Sequence, residues 1–254
     1  MDKEFIERVK KVLQSPKSNL QELNQVHIQL YNKPINIKCG DCIRDAVFLL
    51  NSWLKKNGEE KVNVSDVEVI KEINLFVQVY QSIDLDRQKE LDYCLAMNKA
   101  NEAITRVIEV HDRLTYNELF KLTEQYHDCI NIIANSDIYF NETILYTRFM
   151  KKHQVYALSR WDKVGNKCKL FDRADSQDVW IFNGVARQVN YGSFTLGVPG
   201  CDNRIAYELK QAGYEVLNPS KTIHAIHVHE TNMRTYDGSN RISEPFLLIQ
   251  PHFL

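Results

Sequence analysis

The first sixty residues carry three apolar stripes at helical spacing. Apolar residues recur every three or four positions over about 5–13, 20–30 and 43–54, which is the pattern of one buried face on an amphipathic helix. Proline, asparagine and glycine between and after these stretches predict the turns that end them. Three short helices bury little surface by themselves. We therefore predict that residues 1–60 form a helical docking module that packs against another chain.

The periodicity changes after the polar stretch 59–66, which we interpret as a linker. Beyond it, runs rich in β-forming residues alternate with helical patterns up to about residue 134. The predicted elements are a strand at 73–80, a helix at 86–105, a strand at 106–110, a helix at 116–126 and a strand at 129–134. Such alternation predicts a mostly parallel sheet flanked by helices. Shorter strands and a helix at about 204–212 complete an α/β domain over residues 61–254.

Composition and charge exclude several classes of partner. The 32 basic and 33 acidic residues nearly balance, so there is no electrostatic reason to expect a nucleic acid. The longest apolar runs, such as Val47–Leu50, fall far short of the ~20 residues of a membrane helix. The start of the chain has no apolar signal segment either. We expect a soluble protein of a cytosol-like compartment, without a membrane partner.

Cysteine and glycine positions exclude further chemistries. The six cysteines, without a signal segment, are predicted to be free thiols. Cys39 and Cys42 form a C-x-x-C, but no second pair completes a zinc site, and a helix start capped by Asp41 is the favoured interpretation. No glycine lies between Glu59 and Val164. This excludes P-loop kinases and ATPases, and the usual dinucleotide dehydrogenases.

Asp137 is the first candidate for a functional residue, because it comes just after the predicted strand 129–134. Ligands of open α/β sheets bind beyond the carboxyl ends of the strands. A carboxylate there can hold a divalent cation that carries a diphosphate. The alternative is that Asp137 only caps the turn into a helix near Glu142.

Two further places carry candidate residues. Asp202 follows a glycine- and proline-containing loop at the start of the helix 204–212, where it is either an N-cap or a catalytic base. His227 and His229 alternate along a predicted strand, so both side chains lie on one face. Two imidazoles on one face can chelate Mn or Zn, and the alternative is that both are polar surface residues.

Several motifs occur in order over about residues 70–240. They include INLFVQVY (73–80), IIANSDIYF (132–140), ALSRWD (157–162), RADSQDVWIF (173–182), LGVPGCDNRIAYEL (196–209) and HAIHVH (224–229). Together they resemble a bacterial and phage-borne glycosyltransferase-like family related to nucleotide-diphospho-sugar transferases. The resemblance implies a GT-A fold, with a mostly parallel sheet flanked by helices, and Mn or Mg as the cofactor of an active member.

The resemblance also implies roles for individual residues. Asn135 and Asp137 stand where that superfamily carries the two acidic residues of its metal-binding D-x-D, and Asn135 in the first place weakens metal binding. Asp202 stands where inverting members place a base. His227 or His229 resembles the downstream histidine that completes the metal site.

Arginine is the remaining candidate for nucleotide binding. Arg87 and Arg113 are predicted to contact the phosphates or the base, because a guanidinium makes two parallel hydrogen bonds to such groups.

The N-terminal stretch NQVHIQLYNKPINIKCGDCIRDAVFLL (24–50) is similar to helical segments of tailed-phage neck and other structural proteins. This second resemblance implies a virion-associated portal, neck or ring protein that carries a glycosyltransferase-like domain and is assembled in the cytoplasm of a bacterial host. Its partners would be other virion proteins or copies of itself, bound through the N-terminal helices. It would need no cofactor. The alternative is an active cytoplasmic transferase that moves a sugar from a nucleoside-diphosphate sugar to a glycan or protein.

Overall fold

The computed structural model describes residues 3–14, 16, 19–37, 40–60, 62, 71–165, 167–229, 231 and 240–254. The chain separates into two compact units, Met1–Ile70 and Lys71–Leu254. Most of the predicted linker 59–66 lies outside the described residues, and so does Cys39.

Three helices build the first unit, as their apolar stripes predict. They are α1 (Lys3–Gln14), α2 (Leu20–Tyr31) and α3 (Gly40–Lys56). Their shared core contains side chains with no exposed surface from all three helices: Val9, Leu13, Leu23, Val26, Ala46, Leu50 and Leu54. Asp41, expected to cap α3, is instead the second residue of that helix.

The docking role of this unit stays a prediction. Removing residues 1–70 should leave a folded second unit, because each unit has its own buried core. The shortened protein should no longer assemble with copies of itself or with virion proteins, the two partners expected from the sequence. Light scattering on both proteins, and co-sedimentation with purified particles, measures this. Equal assembly of the full and shortened chains would contradict it.

The second unit is an α/β domain. In chain order its elements are β1 (Ile73–Gln78), α4 (Leu85–Ala100), β2 (Arg106–Val110), α5 (Tyr116–Leu122), β3 (Ile130–Ala134), β4 (Ile138–Phe140), β5 (Gln154–Leu158), β6 (Arg160–Val164), β7 (Lys167–Leu170), β8 (Val179–Asn183), α6 (Cys201–Gln211), β9 (Glu215–Leu217) and β10 (Ala225–His227). Short 3₁₀ helices follow α5 at Thr123–Tyr126 and β4 at Glu142–Phe149.

The central sheet has the strand order β2-β1-β3-β8-β5-β9. Its strands run parallel except β8, which is antiparallel to both of its neighbours. The mostly parallel α/β fold expected from the alternating pattern is therefore confirmed. After β1 the chain forms β2 on one side of β1, and it then returns to form β3 on the other side of β1. The carboxyl ends of β1 and β3 thus border the crevice where the strand order reverses.

The sheet is covered on both faces, which explains its nearly continuous apolar strands. Leu75, Ile132 and Ile181 face one core, and Phe76, Ile133 and Trp180 face the other. Every residue of β3 is buried. A second, smaller sheet has the order β4-β10-β6-β7, and it brings β10 beside the turn that follows β3.

Several predicted elements end earlier than expected, and two of them bear on the site. α4 stops at Ala100 rather than near 105, because Asn101 takes an extended backbone and its amide donates to the Phe140 carbonyl. The strand expected to carry the histidines is only three residues long, and His229 lies just beyond it.

The described part of the chain has no helix that is both long and apolar enough to cross a bilayer. Its five described cysteines, Cys42, Cys94, Cys129, Cys168 and Cys201, are free thiols.

Candidate functional site

Asp137 lies at the crevice between β1 and β3. Two hydrogen bonds fix the turn that carries it. The Asn135 amide donates to Asp178 at 2.8 Å. The Ser136 hydroxyl donates to the Gln78 carbonyl at the end of β1, also at 2.8 Å. Asp137 itself is only 8% exposed. A carboxylate is thereby held at the edge of the sheet where ligands of such folds bind.

β10 and the residues just after it bring two histidines to this carboxylate. His227 pairs with Ile138 across an antiparallel register and with Asp162 across a parallel one. Its Nε2 is 3.3 Å from Asp137 Oδ2, and the Nδ1 of His229 is 3.6 Å from the same oxygen. The structure therefore brings together Asp137, His227 and His229, three residues predicted from the sequence as metal ligands. We call them the Asp137 cluster.

The spacing within the Asp137 cluster fits one ion. Its three ligand atoms lie within 4.8 Å of one another. Ligands bound at ~2.0–2.2 Å around a tetrahedral ion stand roughly 3.3–3.6 Å apart. The two oxygen-to-nitrogen distances already lie in that range. An ion bound there would take the Asp137 oxygen that now accepts a hydrogen bond from Arg87.

Arg87 also contacts the Asp137 cluster. One of its nitrogens donates to Asp137 Oδ2 at 2.6 Å, and another donates to Glu90 at 2.8 Å. Glu90 in turn accepts from the backbone N–H and the hydroxyl of Thr231. The guanidinium is nearly buried in this arrangement. Arg87 was predicted to contact the phosphates or the base of a nucleotide, which stays a prediction, and in the structure it contacts two carboxylates.

Two other predicted residues lie apart from the Asp137 cluster. Arg113 is exposed in the turn after β2, and within the described residues no hydrogen bond or ion pair joins it to the cluster. Asn135 commits its side-chain N–H to Asp178, so its amide stabilises the turn. The sequence alone could not show this, because Asp178 is 43 positions away.

Sequence reasoning missed four charged residues of the site: Glu90, described above, and Asp162, Arg160 and Asp178. Asp162 accepts a hydrogen bond from Nδ1 of His227 (2.9 Å) and another from Nε of Arg160 (2.8 Å). Arg160 also donates to Asp178 (3.2 Å). The only available signal was the alternation of charged residues in the ALSRWD segment, which does not reveal that β6 pairs with β10.

These contacts shift the pKa values of the central pair. Burial by itself would raise the pKa of Asp137, but hydrogen bonds from His227, His229 and Arg87 outweigh it and hold that pKa well below its ordinary value. Burial likewise disfavours the charged form of His227, yet the carboxylates of Asp137 and Asp162 raise its pKa to about 9. The site is therefore one in which Asp137 is ionised and His227 holds a proton in the absence of a competing cation.

Several carboxylates surround the Asp137 cluster. Those of Glu90, Asp137, Asp162 and Asp178 face the guanidiniums of Arg87 and Arg160. Binding of a divalent ion at Asp137 and His227 would release the proton of His227, since a histidine binds metal only in its neutral form.

Asp202 lies in the first turn of α6. The N-cap position belongs to Gly200, which has φ +81° and whose added Cβ would stand 2.9 Å from the Ile242 carbonyl oxygen. Asp202 accepts a hydrogen bond from the Gln177 backbone N–H (3.3 Å). Burial, with a contribution from nearby Asp178, raises its pKa to about 6. Because Gly200 holds the N-cap position, the N-cap alternative for Asp202 is wrong. A carboxyl whose pKa is near neutrality is suited to proton transfer.

The comparisons with known proteins give only distant similarities. No family model and no curated protein matches the chain. Among solved structures, it is similar to a glycosyltransferase involved in the glycosylation of the major capsid of PBCV-1, with 9% identity, 44% of this chain and 60% of that chain covered, and a TM-score of 0.26. The chain thus spans less than two thirds of that protein.

It is also similar to a mannosyltransferase from Pyrobaculum calidifontis, solved in complex with GDP-Man and Mn²⁺. The identity is 12%, the overlap covers 91% of this chain and 70% of that chain, and the TM-score is 0.40. Both structures are glycosyltransferases. At such low similarity, the functional evidence for this chain is the geometry of its own site.

Proposed function

We propose that the second unit is a metal-dependent glycosyltransferase domain that takes its sugar from a nucleoside-diphosphate sugar. The observation that carries this proposal is the Asp137 cluster, with three ligand atoms within 4.8 Å at the crevice between β1 and β3. A divalent ion held there would neutralise the diphosphate leaving group. Two imidazoles beside one carboxylate favour Mn²⁺ over Mg²⁺, which prefers oxygen ligands.

The place of the cluster in the central sheet supports a nucleotide ligand. In open α/β sheets, nucleotides bind at such a reversal of strand order.

Arg87 and Asp202 have distinct roles in this proposal. Arg87 neutralises Asp137 when no metal is bound, and it would turn toward the phosphate oxygens once a cation takes over that carboxylate. Asp202 would accept the proton of the acceptor hydroxyl as the sugar carbon is attacked.

Thermal unfolding tests the donor site. Mn²⁺ with GDP or UDP should raise the melting temperature by several degrees, because a ligand at 100 times its Kd stabilises the native state by about 2.7 kcal/mol. His229→Ala is the matched variant, since its partly exposed ring can be removed with little loss of packing. The variant should keep the metal-free melting temperature and lose the shift. An equal shift in both proteins, or none in the wild type, would contradict the proposal.

The competing explanation is that the charged groups are a structural ion-pair network without a ligand. That explanation predicts no metal-dependent shift at all. The virion role and location expected from the N-terminal segment stay predictions, and detection of the protein in purified phage particles would test them.

A further inference from the structure

We propose that Asp162 is the positioning residue of the metal site: it holds His227 in the orientation and tautomer that present Nε2 to the ion. The inference rests on the proposed function, because it assigns a role to a residue beside the proposed metal ligands. Asp162 does not belong to the Asp137 cluster and was not among the residues predicted from the sequence.

The pairing of two strands places Asp162 beside the histidine. Asp162 and His227 are register partners of the parallel strands β6 and β10, so their side chains leave the small sheet on the same face. Asp162 Oδ1 is 2.9 Å from Nδ1 of His227, while Nε2 of the same ring points to Asp137 at 3.3 Å. The imidazole therefore lies between two carboxylates, one at each nitrogen.

Arg160 fixes the carboxylate in turn. Its Nε donates to Asp162 at 2.8 Å, and its other end donates to Asp178. The guanidinium is stacked on the Phe171 ring, with a distance of 4.2 Å to the centroid. Asp162 is thus held by a side chain that is itself fixed at several points.

The chemistry of histidine explains why this matters. A neutral imidazole has one N–H, and the nitrogen without hydrogen is the one that binds metal. A carboxylate at Nδ1 accepts that N–H and leaves the Nε2 lone pair for the ion. His229 differs, because it presents Nδ1 to Asp137. Within the described residues, no carboxylate is paired with its other nitrogen. The orienting effect of Asp162 therefore acts through His227 alone.

Metal titration of the full chain tests the inference. Mn²⁺ affinity is measured by calorimetry for the wild type, Asp162→Asn, Asp162→Ala and Asp172→Asn. Asp172 is a half-exposed carboxylate paired with Lys221, so it is the matched control. Loss of an orienting partner typically lowers metal affinity ~10–100-fold. We expect a loss in that range for Asp162→Ala, a smaller one for Asp162→Asn, which keeps an acceptor oxygen, and none for Asp172→Asn.

A second measurement separates orientation from stability. The side chain of Asp162 is 37% exposed, against 12% for Asp137, and Arg160 keeps Asp178 as a partner in the Asp162 variants. The metal-free melting temperatures of these variants should therefore stay close to that of the wild type. ¹⁵N chemical shifts of His227, with Zn²⁺ as a diamagnetic probe, should show a protonated Nδ1 and a metal-bound Nε2. This measurement needs only the wild-type protein, so it tests which nitrogen of His227 binds the metal even if a variant fails to fold.

The outcomes distinguish the two proposals. If the wild type binds Mn²⁺ and Asp162→Ala binds it equally well, the positioning role is overturned while the metal site stands. A metal-bound Nδ1 in His227 would overturn the positioning role as well. If the wild type binds neither Mn²⁺ nor Zn²⁺, the proposed function fails and the role of Asp162 falls with it.

Discussion

Asp137→Ala should lower the free energy of unfolding by about 3–5 kcal/mol and abolish metal binding. The loss of stability follows from burial, because the substitution leaves the guanidinium of Arg87 nearly buried with only one of the two carboxylates of Asp137 and Glu90. It also leaves His227 without its acceptor at Nε2. Removing one member of a buried ion pair typically costs this much.

Urea unfolding in the absence of metal measures the structural part of this effect. Asp86→Asn is the matched control on the same helix as Arg87, since Asp86 forms only an exposed pair with Lys89, and it should leave the transition unchanged. A metal-free loss below about 1 kcal/mol would mean that Asp137 and Arg87 are not coupled in solution.

Asp202→Asn should slow sugar transfer by roughly 10²–10⁴-fold, which is the usual contribution of a general base, and should at the same time stabilise the fold at alkaline pH. Folding raises the pKa of Asp202 to about 6. The folded state therefore holds this proton more tightly than the unfolded chain does. That stabilisation is complete below the unfolded pKa of about 4 and is lost as the pH rises through 6.

Asparagine has no charge to bury, so the variant should be more stable than the wild type only above that pH range. We expect about 1–2 kcal/mol at pH 8, reduced from the full shift because the side chain is partly exposed, and nearly nothing at pH 4. Urea unfolding at both pH values provides the internal control. A variant that is less stable at pH 8, or one that keeps full transfer activity, would show that Asp202 is not a buried base.

The sequence predicts the fold and the three residues of the Asp137 cluster for local reasons. Continuous apolar runs identify β1 and β3 because both strands are buried on both faces. The position of Asp137 after β3 and the alternation of His227 with His229 are properties of single segments. Each can therefore be recognised without knowing what lies beside it.

The partners of these residues could not be predicted in the same way. Asp162 meets His227 across 65 positions, and Arg87 meets Asp137 across 50. Both contacts depend on which strand or helix packs next to which, and no local pattern fixes that. The misplaced end of α4 has the same origin, because the Asn101 amide binds a carbonyl of β4 from 39 positions away.

The register of β10 has a consequence for how this region tolerates insertions and deletions. Hydrogen bonds hold the segment before it at several points. The Asn218 amide donates to Ser159 and to the Ile249 carbonyl. The Trp161 indole donates to the Ser220 carbonyl, and the His224 backbone N–H donates to Thr143. Insertion of one residue between 220 and 224 would therefore shift the register of β10 by one residue. Because side chains alternate, an aliphatic residue would then face Asp162 where the imidazole now lies. The length of this connection is thus as strict a requirement for the site as the identity of its ligands.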